Sequence, residues 1–202
     1  MRTVQSGASL HDATVVLDDR VILRAANVAV GPGLTLVRGP NGSGKTTLLR
    51  ALAGLVPLAR GDRRLVGDVL YIGHRPMLLR GLTARENLEF FVRFRGGDTH
   101  GIDGALRSWG VGEDMDRPVE RLSAGERRRA ALARMETERV PLLLLDEPFA
   151  DLDEAGASRL RQTIARAREE GRMVVVATHA HPELDEHASA RIAIDDGALT
   201  AA

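Results

Sequence analysis

The sequence predicts an α/β fold: a mostly parallel sheet covered by helices, a small antiparallel β region at the N-terminus, and a helical subdomain at about 83–139 inserted into a single domain spanning 1–202. Three observations predict it. The run "LTLVRGPNGSGKTTLLRALAGL" reads as strand, glycine-rich loop and helix in direct succession. The runs "LLLL" and "VVV", within residues 141–148 and 172–179, are continuously apolar rather than alternating, as in parallel strands buried on both faces. Between them and the first helix, from residue 82 to about 139, the pattern turns charged and helical.

In chain order, "ATVVL" (13–17), "NVAV" (27–30) and "LTLV" (34–37) are short runs rich in β-branched residues, punctuated by "DDR" and "GPG", and they predict strands. The glycine loop and its helix follow, with Gly54 as the stop. "DVLYIG" (68–73) predicts a further strand. Thr83 with Glu86, and Ser123 with Glu126, each have the spacing of a capping box and mark two helix starts. A helix with a period of 3.6 is expected over about 154–170, and a closing hairpin turns at "DDG".

Composition excludes several classes. Acids and bases balance at 28 each, so the net charge is zero and no basic excess points to nucleic acid. There is no cysteine, which removes disulfides and thiolate metal sites. No apolar run approaches the roughly 20 residues that span a bilayer, and "MRTVQSGASL" lacks a signal-like apolar stretch, so a cytoplasmic chain is expected.

Of the 28 basic residues, Lys45 is the only lysine. It sits in "GPNGSGKT" (Gly39, Pro40, Asn41, Gly42, Ser43, Gly44, Lys45, Thr46), which fits G-x-x-x-x-G-K-[ST], and Thr47 follows. The glycines let backbone N–H groups turn inward around phosphate oxygens, and the helix behind adds its positive end. A compact ammonium suits the β- and γ-phosphates inside a tight loop, whereas a planar guanidinium suits flat bidentate partners. Thr46 would place its hydroxyl on Mg²⁺. A chance match to the four fixed positions is expected in about one chain in a hundred. "LLLLDEP" ends a buried strand in two acids: Asp146 for Mg²⁺, a hard cation that takes oxygen ligands, and Glu147 to polarise the attacking water. Alone it is also an ordinary strand followed by a charged turn.

"RLSAGERRRAALAR" resembles the ABC ATPase signature, here Leu122, Ser123, Ala124, Gly125 and Glu126. Ser123 and the Gly125 N–H stand at a helix N-terminus, which attracts anions, and the capping box can hold at the same time. With the motifs in this order, the chain from about Leu10 onward resembles an ABC transporter ATP-binding subunit, that is, a P-loop NTPase core. The resemblance implies a homodimer, with ATP between the phosphate loop of one copy and the signature of the other. It implies that Asp151 and Asp153 in "FADLD" form the D-loop, that His179 in "ATHAH" contacts the γ-phosphate, and that His181 is a surface residue. It also implies a peripheral subunit on the cytoplasmic face of the membrane, bound to integral-membrane permeases. "YIGHRPMLLRGLTARENLEFF", "LSAG" and the short chain are similar to the CcmA-type subunits of cytochrome c biogenesis, the heme exporters. His74 stands where most ABC ATPases have Gln. An imidazole is a poor ligand for Mg²⁺, so it is expected to hydrogen-bond a water or the γ-phosphate as a third catalytic group, unless it merely ends its strand. Glu126 replaces the usual signature Gln.

"ATVVLDDRVIL" carries no aromatic residue to stack on adenine, leaving Val16 or Leu17 as apolar contacts and predicting weak selection of the base. Phe90, Phe91 and Phe94 fall where the resemblance implies a groove for the permease; large apolar side chains are usually inside, so the helical core is the expected place for them. Arg93, Arg95, Arg127, Arg128 and Arg129 are expected on solvated or helix-pairing faces, with lipid headgroups as the alternative partner for some of them. Alternatives with the same motifs are an exporter of a drug, lipid or polysaccharide, and a soluble ABC ATPase without a permease. A kinase-like enzyme would have no use for "LSAGE".

Overall fold

The computed structural model describes residues 7–179 and 181–201. These fall into two compact units. One runs to Tyr71 and takes in Val140–Pro148 and the chain from Arg166; the other comprises Ile72–Arg139 and Phe149–Ala165.

The first unit holds two sheets. β1 (Gly7–Leu17), β2 (Arg20–Val30) and β4 (Arg60–Val66) form a three-stranded sheet in the order β2-β1-β4, and both pairings are antiparallel. The second sheet has the order β5-β6-β7-β3-β8-β9, from β3 (Gly33–Arg38), β5 (Val69–Ile72), β6 (Leu142–Asp146), β7 (Met173–Ala177), β8 (Ala190–Asp195) and β9 (Ala198–Ala201). β6, β7, β3 and β8 are parallel neighbours, and β9 returns antiparallel through the Asp196-Gly197 turn. Every residue of β6 and β7 is buried, which accounts for their unbroken apolar sequence. The helix α1 (Lys45–Ala53) packs against strands of both sheets and buries Leu48, Leu49, Ala51 and Leu52 in one core with Leu10, Val15, Leu23, Leu144 and Val175. Gly54 ends it in the left-handed region, where glycine carries no steric penalty.

The second unit contains α2 (Ala84–Phe94), α3 (Ile102–Ser108), α4 (Ala124–Thr137) and most of α5 (Glu154–Glu169). Both expected capping boxes are present: Thr83 with Glu86 starts α2, and Ser123 with Glu126 starts α4. Its interior holds an ionic cluster. Glu138 is fully buried; Arg134 Nε reaches Glu138 Oε1 at 2.5 Å and Arg95 Nε reaches Oε2 at 2.6 Å. Burial lowers the Arg134 pKa from its ordinary value, and Glu138 opposes that shift. The Arg134 guanidinium also lies 3.5 Å from the Phe91 ring centroid.

Two expectations about side chains are corrected. Phe90 and Phe94 do not fill the helical core: they are 47% and 79% exposed and stack on each other with centroids 6.3 Å apart. Only Phe91 turns partly inward. Arg128 is not on a solvated face: it is wholly buried and donates to Gly73 O at 2.7 Å and to Ala150 O at 3.3 Å. Its five donors let it tie off carbonyls of two loops at once.

Removing one partner of a buried ion pair strands the other charge, at a cost of about 3–5 kcal/mol. Glu138→Leu is therefore expected to lower unfolding stability by about 3 kcal/mol, read from the midpoint and slope of a urea transition. A loss below about 1 kcal/mol would mean that the two arginines find other partners.

Candidate active site

The site in the first unit grows from the ends of three parallel strands. Val37 of β3 lies beside Ala177 of β7, and Ala177 lies beside Asp146 of β6. The segments that follow them hold Gly39 to Thr47, His179 and Glu147. In open α/β sheets this carboxyl edge is where ligands bind.

Gly39 and Gly44 are dictated by close approach. A Cβ on Gly39 would stand 2.2 Å from Ile194 O; Gly44 has φ +110, and a Cβ there would meet Ile22 O at 3.0 Å and Ile194 Cδ1 at 3.1 Å. The loop therefore lies tightly on β2 and β8, with Gly197 N donating to Ser43 O at 3.1 Å. Lys45 is 7% exposed and its Nζ donates to Gly39 O at 2.8 Å and Pro40 O at 2.9 Å. The loop thus folds over the ammonium. Ser43 Oγ is buried without a hydrogen-bond partner. α1 starts at Lys45 with no side-chain cap and no acid in its first turn, whereas α2 and α4 both have capping boxes. Its positive end is left to the loop. Asn41 and Gly42 are exposed at the loop's tip, and Thr47 is buried at the helix start.

Thr46 Oγ1 donates to Asp146 Oδ2 at 2.8 Å, so the two residues expected to share a cation meet. Tyr71 O–H donates to the same oxygen at 3.3 Å. Asp146 Oδ1 is buried and has no hydrogen-bond partner. An acid that is 1% exposed with one free oxygen, beside a threonine hydroxyl, is a hard-oxygen donor set suited to Mg²⁺. Burial pushes the Tyr71 phenol above its ordinary pKa; Asp146 pushes it the same way and Arg50 opposes both. Tyr71 thus remains a donor. Sequence reasoning passed over it, although it is the chain's only tyrosine and sits in the strand before His74.

Glu147 has φ +45, an uncommon conformation for a residue with a side chain. Its N–H donates to Ala177 O at 2.9 Å, and its Oε1 lies 3.0 Å from His179 Nδ1. The expected base and the expected γ-phosphate contact are therefore neighbours, and the imidazole is 62% exposed. His181, expected at the surface, is half-buried, with its Nδ1 3.1 Å from Glu183 Oε1.

The base contact expected of Val16 or Leu17 lies at the tip of the β1–β2 hairpin. Val16 pairs with Val21 and both are exposed, while Leu17 packs partly on the core. Val21 also lines a cleft of about 470 Å³ with Ile22, Arg24, Asp196 and Gly42 of the phosphate loop.

The remaining expected residues belong to the second unit. His74 lies two residues past β5 and is exposed. Leu122 is buried, and Ser123 and Ala124 are exposed at the start of α4. Ser123 Oγ accepts from Glu126 N at 3.2 Å, and Glu126 Oε2 accepts from Ser123 N at 2.6 Å. The Ser123 hydroxyl proton stays available to another acceptor. A Cβ on Gly125 would meet Asp151 O at 3.1 Å, so signature and D-loop touch. Asp151 is exposed with φ +62; Asp153 Oδ1 accepts from Gly156 N at 2.8 Å and helps start α5.

Comparison with known proteins speaks to the family and the fold. The ABC transporter family model matches residues 23–150. The cytochrome c biogenesis ATP-binding export protein CcmA 1 of Salmonella paratyphi A is 41% identical over 175 residues, 80% of this chain and 84% of the relative. The protein CcmA of Escherichia coli O6:H1 is 38% identical over 190 residues, 88% of this chain and 91% of the relative. Among solved structures, the ATP binding subunit of an ABC transporter matches with a TM-score of 0.88 over 98% of this chain and 90% of that one; at 19% identity this speaks for the fold.

The enclosure of Lys45 leads to a test. Lys45→Arg keeps the charge but needs room for a planar guanidinium under Gly39 and Pro40. ATP hydrolysis is expected to fall at least about a hundredfold, followed as phosphate release. Turnover near the wild-type rate would show that the loop accepts any cation.

Proposed function

The chain belongs to the ABC transporter family, among the cytochrome c biogenesis ATP-binding export proteins, and on that premise we propose that it hydrolyses ATP to drive an export step of cytochrome c maturation, with heme as the cargo its resemblance implies. The observation that carries the chemistry is the meeting of Thr46 with Asp146 behind the enclosed Lys45.

The phosphate loop from Gly39 to Thr47 holds the β- and γ-phosphates through its N–H groups and Lys45. Thr46 and Asp146 would hold Mg²⁺, which when bound would supply positive charge to the phosphate oxygens. Glu147 accepts a proton from the water that attacks the γ-phosphorus, and the bond to ADP breaks. His179 donates to a γ-phosphate oxygen from a ring already steadied by Glu147, and His74 hydrogen-bonds the γ-phosphate or a water beside it. Little covalent work falls to the protein in such a transfer; placement and charge do most of it.

The active form is a homodimer. Ser123 and Gly125 of one copy, with Leu122, Ala124 and Glu126 shaping the turn, close over the ATP of the other, and Asp151 and Asp153 line the path between them. The free Ser123 proton and the exposed turn support this. The exposed Phe90 and Phe94 support a permease seated on α2, and among the described residues no helix is long and apolar enough to cross a membrane. The chain then works as a single domain, its helical subdomain at about 83–139, peripheral on the cytoplasmic face. No nucleic-acid partner is expected.

Glu147→Gln keeps the side chain's shape and removes the base. With ATP and Mg²⁺ it is expected to bind nucleotide, stop turning over and elute as a dimer on gel filtration, while the same protein with ADP elutes as a monomer. A Glu147→Gln protein that hydrolyses ATP at wild-type rate, or that stays monomeric with ATP at high concentration, would count against the shared site.

A further inference from the structure

Arg38 is the last residue of β3 and stands immediately before the phosphate loop. Its guanidinium reaches the segment that follows β7. Nη1 donates to Thr178 O at 3.3 Å, and Nη2 donates to His181 O at 3.1 Å and to Asp185 Oδ2 at 3.2 Å. The two carbonyls belong to residues on either side of His179. The backbone repeats the link one step earlier, where Thr178 N donates to Val37 O at 3.2 Å. His181 has φ +80, in the left-handed region that few residues with a side chain occupy. Asp185 is itself 3.5 Å from Arg191 Nε on β8, so the arginine's charge is balanced by an acid that is also held.

We propose that Arg38 is a positioning residue for His179: its guanidinium pins the backbone on both sides of that histidine to the strand that carries the phosphate loop. This rests on the reading of His179 as the γ-phosphate contact. The chemistry calls for arginine, because one planar fork reaches two carbonyls and a carboxylate at fixed angles, whereas an ammonium acts as a point. It also keeps the imidazole where Glu147 Oε1 meets it, at 3.0 Å. A displacement of about 1 Å in a group that acts on the transferring phosphoryl is enough to cost a large factor in rate. Since the Arg38 donors are held by Thr178, His181 and Asp185, its loss should leave nucleotide affinity alone.

The test compares full-length wild type, Arg38→Met, His179→Ala and the double variant in ATP hydrolysis with Mg²⁺, with nucleotide binding measured separately. Arg38→Met is expected to lower kcat about tenfold or more with KM and ATP affinity within about twofold. Added to His179→Ala, it is expected to cost no more than about a further twofold, because its effect runs through that histidine. Independent, multiplying losses would overturn the proposal, as would Arg38→Met at wild-type rate beside an impaired His179→Ala. His179→Ala at wild-type rate would overturn both the proposal and the reading beneath it. If Arg38→Met is insoluble, Arg38→Lys takes its place in the same comparison; it is expected to lose rate without affinity, and multiplying losses with His179→Ala would again overturn the role.

Discussion

Val37, Ala177 and Asp146 stand side by side across three parallel strands, and this register is the constraint on which the first unit's chemistry depends. Each strand ends within a residue of that line, and each hands over to a different part of the site. A slip of one residue in β6 would turn Asp146 to the opposite face of the sheet. The strands are buried along their whole length, so such a slip would also misplace Leu142, Leu143, Leu144 and Leu145 in the core. Packing energy therefore holds the acid in place. The carboxylate has no need of a rigid loop of its own.

That arrangement lets the site keep polar groups in poor balance. A buried donor or acceptor without a partner costs about 1–3 kcal/mol. Ser43 Oγ, two residues before Lys45, and Asp146 Oδ1, on the carboxylate that meets Thr46, both carry this cost. Glu147 adds a left-handed backbone, and His181 another. Such departures are affordable only where the scaffold over-determines the conformation, and they cluster where a ligand would relieve them. In the second unit the buried Glu138 meets an arginine at each oxygen and Arg128 closes two loop carbonyls, although Arg129 Nε, Thr137 Oγ1 and Arg159 Nε are buried there without a hydrogen-bond partner.

The parts that sequence reading captured were those with a local cause. The phosphate loop, the two capping boxes, β6, β7 and the final hairpin each follow from residues within a few positions of one another. β4 was missed because its first five residues, Arg60 to Arg64, are all exposed and show no alternation; only pairing with β1 makes it a strand. β1 and β2 run longer than their apolar runs because bulges interrupt their register and break the period of two. Phe90, Phe94 and Arg128 went the other way. Composition places aromatics inside and arginine outside, but a run of charge such as "ERRR" cannot show which member turns inward. The bonds between Thr46 and Asp146, or between Arg38 and His181, join residues that only the sheet brings together. The motif predicts the first and nothing local predicts the second.

Glu126 shows how one residue can serve folding and constrain chemistry. As the third residue of α4 its carboxylate accepts from Ser123 N, and its own N–H is taken by Ser123 Oγ. That satisfies two of the four orphan donors at the helix start before any ligand arrives, so the turn is set in advance. A glutamine there could make the same bonds without the charge. The carboxylate instead offsets part of the positive end of the helix, an effect worth about 0.3–1 kcal/mol at an exposed terminus. A phosphate approaching Ser123 would thus meet less attraction than at an uncharged cap, and would depend more on the hydroxyl proton and on the Gly125 N–H. The phosphate loop has no such acid in its first turn. The two helix starts of this chain are therefore unequal by construction: α1 offers its full dipole and an ammonium, and α4 offers a preformed but weakened one. On the proposed reading, nucleotide loads on the phosphate loop first, and the signature of the partner copy adds the weaker second half of the grip.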